Sequence, residues 1–252
     1  MENSPFLLNI EGEETIDINY VKDFEFAKKI MMFEINLRNK KLRMIKLKLN
    51  SCILSDILNS MNIKNFLLKN FKQNIYQKKL FGHVRPIQIR KLKEHENPNG
   101  IYDCLRSYDS VNEGDIIFVN NMIDDKAYFG DLNATIAISK GAQGTIVNGS
   151  TRDEVRTIEL DFPVYYKNTT CDDVKNTGTL DYFDEPVVVD GITINVNQLI
   201  FADKEGIIII PKKYENQIIE KCYEVINNEN NIFNSLIKGT DISTILNTYG
   251  NF

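Results

Sequence analysis

The stretch GDLNATIAISKGAQGTIVNGSTRD, residues 130–153, carries an acid near its start and an Arg-Asp pair at its end: Asp131, twenty residues, then Arg152 and Asp153. Two carboxylates are hard oxygen ligands of the kind Mg²⁺ takes, and a guanidinium beside them suits an anion that develops during a reaction. Gly130, Gly144 and Gly149 surround the three residues and allow close backbone approach. A helix beginning at Asp131 also exposes the amides of Leu132 and Asn133, which fit a carboxylate or a phosphate.

For these side chains to meet, the elements between them must return to one edge. The apolar run 116–119 reads as a buried strand, 131–140 as a helix stopped by Gly141, and 144–148 as a second strand between glycines. A parallel strand–helix–strand unit is right-handed almost without exception. About ten helical residues rise roughly 15 Å, and five strand residues return roughly 17 Å. Asp131 and Arg152-Asp153 are therefore expected on the same sheet edge. Geometry alone also serves a second reading. Asp131 would then be a helix N-cap worth about 1 kcal/mol, and Arg152 and Asp153 an exposed pair worth less.

Elsewhere the chain reads as a mixed α/β domain with a different N-terminal region. ETIDINYVKDFEFAKKIMMFE predicts a short extended piece and then a helix from about Asp23, with Phe24, Ala27, Ile30 and Met31 on one face. SCILSDILNSMN predicts a helix capped by Ser51, with Ile53, Leu54, Ile57 and Leu58 as its apolar stripe. HVRPIQIRKL alternates but contains Pro86, which predicts an edge or interrupted strand. NGIYDCLRSY predicts a loop into a short helix. VVVDGITINVNQLIFADKEGIIIIP predicts three short strands with turns at Asp190-Gly191 and Glu205-Gly206. Residues 212–238 predict a terminal helix, followed by a short last one.

Composition narrows the classes of function. The 252 residues carry a net charge of −5, which argues against nucleic acid as a partner. The richest basic stretch, residues 36–50, reads as a solvated face or connector, or as a contact for an acidic partner. No apolar run approaches the roughly 20 residues that span a bilayer, and the acidic N-terminus does not read as a signal peptide. A cytoplasmic protein without a membrane partner is expected. Cys52, Cys104, Cys171 and Cys222 are scattered without a CxxC and read as reduced thiols. His83 and His95 are the only histidines, which argues against a His-based metal site or a Ser-His-Asp triad.

The stretch 130–153 resembles the regulator-of-ribonuclease-activity-A (RraA-like) family, which includes the class II 4-hydroxy-4-methyl-2-oxoglutarate aldolases. The enzymes of that family carry an Asp, twenty residues, then Arg-Asp. The likeness continues through DFPVYYKNTT and VVVDGITINVNQLIFADKEGIIIIP and back through KLNSCILSDILNSM and VNEGDIIFVN, roughly residues 47–250. It implies a swivelling β/β/α domain over 47–252, assembled as a homotrimer or hexamer. It further implies that Asp153 binds Mg²⁺ or Mn²⁺ directly and that Asp131 holds a water of that metal. Arg152 would face a 2-oxo acid and its enolate, and the amides from Gly130 through Leu132 to Asn133 would hold the substrate carboxylate. An acid from a neighbouring subunit also approaches the metal in such aldolases, and Glu229 is its best counterpart here. Two departures are visible: Asn197-Gln198 stands where relatives often have Pro-Gly-Asp, and Asn133 where Leu is common.

Residues 1–46 form an N-terminal extension with a resemblance of its own. ETIDINYVKDFEFAKKI is similar to the closing segment of acylneuraminate-type cytidylyltransferases, with Asp17, Ile18, Asn19, Asp23 and Ala27 matching in part. It lacks that family's nucleotide loop and implies no CMP transfer. The leading expectation is a metal-dependent lyase that cleaves a 4-hydroxy-2-oxo acid to pyruvate, or decarboxylates oxaloacetate. The alternatives are a non-catalytic trimer that regulates a partner enzyme such as a ribonuclease, and a diverged enzyme of a surface-sugar pathway.

Overall fold

The structure, a computed structural model, describes residues 6–9, 15–18, 20–123 and 125–250. Its contacts divide the chain into Met1–Arg43 and Met44–Phe252. In the first unit β1 (Phe6–Asn9) and β2 (Thr15–Ile18) pair antiparallel, and helix α1 (Val21–Lys46) starts there. The Asp23 carboxylate accepts from the Tyr20 amide at 2.9 Å, which satisfies one donor of the helix entrance. Of the predicted stripe, Ala27 is buried while Phe24 and Met31 are exposed. Asn19, part of the cytidylyltransferase-like pattern, lies outside the described residues.

The second unit opens with α2 (Ser51–Ser60), which buries Ile53, Leu54, Ile57 and Leu58 as its spacing predicted. Its cap is Asn50 and not Ser51: the Asn50 side chain accepts from the Ile53 amide at 2.8 Å. Ser51 turns instead to Asp203, which takes both its amide and its hydroxyl at 2.8 Å, and the Glu205 amide at 2.9 Å. This buried carboxylate ties α2 to a distant hairpin. Asp203→Ala leaves those donors unpaired and is expected to cost about 3 kcal/mol. Urea denaturation would read that as a lowered midpoint, and an unchanged midpoint would contradict the tie.

Short strands β3 (Leu67–Leu68) and β4 (Lys72–Gln73) precede the long β5 (Leu80–Lys91). Then come a 3₁₀ segment (Pro98–Ser110), β6 (Ile116–Asn121), β7 (Ala127–Phe129), α3 (Asp131–Ser139), β8 (Gly144–Thr151), α4 (Glu154–Glu159) and β9 (Val164–Thr169). Strands β5, β6, β8 and β9 are parallel neighbours, and β7 pairs parallel with the end of β8. The predicted strand–helix–strand unit is thus present as β6, α3 and β8.

Residue alternation sends side chains to two cores. Ile117, Val119 and Val147 pack with Ala134, Ala137 and Tyr108 on the helical side. Ile116, Phe118 and Ile146 face the β layer that follows. The strands that follow are β10 (Gly178–Phe183), β11 (Val187–Val189), β12 (Ile192–Ile194), β13 (Leu199–Asp203) and β14 (Gly206–Ile210); β10, β13 and β14 join the sheet of β5, and β11 and β12 pair as a separate hairpin. Residues 187–210 therefore hold four strands where the sequence predicted three. The predicted turn at Asp190-Gly191 closes the β11–β12 hairpin, and the extra strand arises because a second turn at 195–198, with Asn197 at positive φ and the Gln198 side chain accepting from the Asn195 amide at 2.8 Å, breaks the run 192–203 into β12 and β13. Helices α5 (Glu215–Ile237) and α6 (Ile242–Tyr249) close the chain.

Pro86 does not mark an edge. β5 lies at the centre of the sheet, paired with β6 along one side and with β13 and then β10 along the other. Val84 uses both backbone groups toward residues 197–198, and the Pro86 carbonyl accepts from Asp184. The missing proline N–H thus points at the gap between the two successive partners, where no ladder bond is lost.

Candidate functional site

The site is built by the ends of three strands. In the β7–β8 register Phe129 lies opposite Thr151, and the Phe129 carbonyl accepts from the Arg152 amide at 2.9 Å and the Thr151 hydroxyl at 2.8 Å. The residues just past each strand, Gly130-Asp131 and Arg152-Asp153, must therefore be neighbours. Lengths alone predicted this convergence; its physical cause is the three-residue strand β7, which the sequence reading did not contain. β9 leaves at the same edge, and the chain folds back so that Ala127 pairs with Asp173.

Gly130 is the N-cap of α3 and Asp131 its first residue, so Asp131 is not the cap. The first bond within α3 runs from Ala134 to the Gly130 carbonyl at 3.0 Å. The Leu132 and Asn133 amides lie in the turn that has no intrahelical acceptor. The Asp131 amide approaches Asp153 Oδ2 at 3.5 Å. Asp153 has φ 55 and ψ 36, a left-handed conformation that aspartate tolerates, and its carbonyl receives Arg156 and Thr157 to start α4.

Gly130 makes this proximity possible. A Cβ there would lie 2.5 Å from Asp153 Oδ2 and 3.3 Å from Arg152 Cγ. If Asp153 holds a divalent ion, as the resemblance implies, Gly130→Ala is expected to displace its carboxylate and weaken Mn²⁺ binding at least about tenfold, the usual scale for disturbing a ligand's support. Titration calorimetry measures it; undiminished affinity would place the ion elsewhere.

Arg152 is held from both sides, with Nε 3.5 Å from Asp153 and Nη1 2.7 Å from Asp173. Asp173 is itself oriented by the Lys175 amide, at 2.7 Å from its Oδ1. All three charged groups are between one third and two fifths exposed, so the pairs hold geometry more than they stabilise the fold. Together with Asp131, Leu132, Asn133 and Lys175 they line a cavity of about 360 Å³, whose remaining wall includes Ile101, Tyr102, Leu105, Tyr128 and Ile136.

Sequence reasoning missed Asp173, Lys175 and the wall from residues 101–105. The one available signal was the Asp172-Asp173 doublet just beyond β9, a strand that must exit where β8 does. Glu229, by contrast, is exposed on α5 and is not among the lining residues.

Neutral groups back the cavity. Burial raises the Tyr108 and Tyr128 phenols well above their ordinary range, and pushes the Cys104 thiol up to about 12. These groups stay protonated near neutrality. All four cysteines are free. Among the described residues no three His, Cys, Asp or Glu side chains gather as a metal cage. The site instead offers a small set of carboxylates open to solvent. That donor set fits Mg²⁺, which is held by one or two carboxylates and keeps several waters. The gap left by the absent Gly130 side chain, which a Cβ would close, preserves the space beside Asp153.

Residues 51–209 match the RraA-like family described as Aldolase/RraA. Protein DlpA of Legionella pneumophila is 25% identical over 229 residues, covering 90% of this chain but 37% of that protein's length. A Halalkalibacterium halodurans protein with the provisional name 4-hydroxy-4-methyl-2-oxoglutarate aldolase is 26% identical over 68% of this chain and 77% of its own. Among solved structures, Streptomyces coelicolor RraAS2, described as an unusual member of the RNase ES inhibitor RraA family, superposes with a TM-score of 0.65. It is 21% identical and covers 76% of this chain and 94% of its own. The expected swivelling β/β/α fold with an N-terminal helix is therefore the fold of this chain.

Proposed function

The chain belongs to the RraA-like family, and we propose that within it this protein is a divalent-metal-dependent lyase acting on a 2-oxo acid. The observation that supports this most is the gathering of Asp131, Arg152 and Asp153 around the open amides of α3, at one edge of the sheet. A family that holds both aldolases and ribonuclease inhibitors does not decide the matter by membership alone.

Asp153 would hold Mg²⁺ or Mn²⁺ directly and Asp131 would hold a water of that ion, which would supply a Lewis acid for the 2-oxo group and acidify nearby water. The Leu132 and Asn133 amides receive the substrate carboxylate, helped by the positive end of α3. Arg152 stands beside the oxygen on which charge accumulates. When the C3–C4 bond breaks, its electron pair enters the pyruvyl fragment as an enolate, and Arg152 stabilises that charge. The 4-hydroxyl proton leaves through solvent ordered by Asp131, and C4 becomes a carbonyl. The enolate then takes a proton at C3 to give pyruvate. Oxaloacetate follows the same course with CO₂ as the other product.

Glu229 enters the reading as an acid brought to a neighbour's pocket in a trimer or hexamer. Removing the terminal helices to test this would take away Cys222, Ile226 and Ile232, which are buried in the chain's own fold, and bare the face of α2 against which α5 packs, so Glu229→Ala is the cleaner variant. The test of the function is pyruvate release from oxaloacetate and from 4-hydroxy-2-oxo acids, with Mg²⁺ and with chelator. Metal-dependent release supports the lyase. No release above the metal-only rate favours the non-catalytic regulator.

A further inference from the structure

The lyase reading occupies the charged end of the cavity and leaves the other end unassigned. About 360 Å³ lies in the range of sites that enclose ligands larger than a three-carbon acid. The 3₁₀ segment Pro98–Ser110 packs against α3 and contributes Ile101, Tyr102 and Leu105 to the lining, with Ile136 from α3 beside them. This wall is apolar and aromatic.

The charges point the same way. The lining holds three carboxylates, Asp131, Asp153 and Asp173, and two cations, Arg152 and Lys175. With a divalent ion bound the cavity carries a single positive charge, which one substrate carboxylate neutralises. Lys175 is the cation left for a second carboxylate. Its ammonium stands 5.7 Å from the centroid of the Tyr102 ring, an attractive placement over an aromatic face. A second carboxylate would lose part of its hydration beside Ile101 and Leu105.

We infer that the substrate is a monocarboxylic 4-hydroxy-2-oxo acid whose C4 carries an aryl group, seated against Ile101, Tyr102 and Leu105. Cleavage then yields pyruvate and an aromatic aldehyde: the C3–C4 pair stays with the pyruvyl fragment, the hydroxyl proton leaves, and C3 is reprotonated. This rests on the lyase reading for the placement of the 2-oxo carboxylate.

The test is equilibrium binding, which needs no turnover. 2-Oxo-4-phenylbutanoate, 2-oxoglutarate and 2-oxobutanoate present a phenyl, a carboxylate and a hydrogen at C4, and none has the 4-hydroxyl needed for cleavage. Each is titrated by calorimetry into the full chain with Mg²⁺. The phenyl compound is expected to bind at least about tenfold tighter than either of the others, from the apolar area it buries. Leu105→Asn, at a partly exposed position, should remove most of that advantage and leave 2-oxobutanoate unchanged. Lys175→Ala should preserve the ranking.

Tighter binding of 2-oxoglutarate, or a phenyl preference indifferent to Leu105→Asn, overturns the inference. Binding of 2-oxobutanoate without any tail preference overturns it alone and leaves the lyase reading standing. Failure of all three to bind overturns both.

Discussion

Asp153→Asn is expected to abolish metal-dependent turnover, by at least about a thousandfold or roughly 4 kcal/mol in barrier, while thermal unfolding stays within a degree or two of the parent. The amide keeps the shape of the side chain but cannot offer an anionic oxygen to a hard cation. The backbone does not suffer. Asparagine tolerates the left-handed conformation that residue 153 adopts, and the bonds from Arg156 and Thr157 go to its carbonyl, not its side chain. Arg152 also keeps its 2.7 Å partner Asp173. Steady-state kinetics with a Mg²⁺ series, beside a melting curve, reads both quantities. Full activity in this variant would remove Asp153 from the metal.

Arg152 should show the second large effect, and its kinetic form matters more than its size. If it meets an enolate, it faces a charge larger in the transition state than in the bound acid. Its loss must then lower kcat more than it raises KM. Arg152→Ala is expected to cost about 2–4 kcal/mol, as for the removal of one oxyanion donor. Arg152→Lys should recover little. The guanidinium spans Asp153 with Nε and Asp173 with Nη1, and a single ammonium cannot serve both at once. Asp173→Asn separates placement from charge: Arg152 stays cationic but loses its short ion pair, so kcat should fall by less than in Arg152→Ala. A change confined to KM across these variants would make Arg152 a uniform binder of substrate.

The charged set was legible in the sequence because its order is local. Apolar runs, Gly141 and the distance between Asp131 and Arg152 are enough to write β6, α3 and β8. What brings the ends together was not legible. β7 is three residues long, too short for any periodicity, and exists only because β8 offers Ala127 and Phe129 a partner. Asp173 lies in a loop whose path is set by the backbone of Ala127, more than forty residues earlier. Pro86 misled for a related reason. A proline speaks against a central strand only if its nitrogen faces a continuous partner, and here the partner changes at that residue. Ser51 was assigned a local cap, but a buried carboxylate 152 residues away competes for its hydroxyl.

In the proposed lyase, Asp131, Arg152 and Asp153 stabilise a pyruvate enolate. Exchange of the pyruvate methyl protons for deuterium, followed by proton NMR in D₂O, tests this without the correct aldehyde or any bond cleavage. The expected result is Mg²⁺-dependent loss of the methyl signal with the parent protein, none above background with Asp153→Asn, and a rate lower by about a hundredfold with Arg152→Ala. Exchange no faster than with Mg²⁺ alone, or equal in all three proteins, would contradict it.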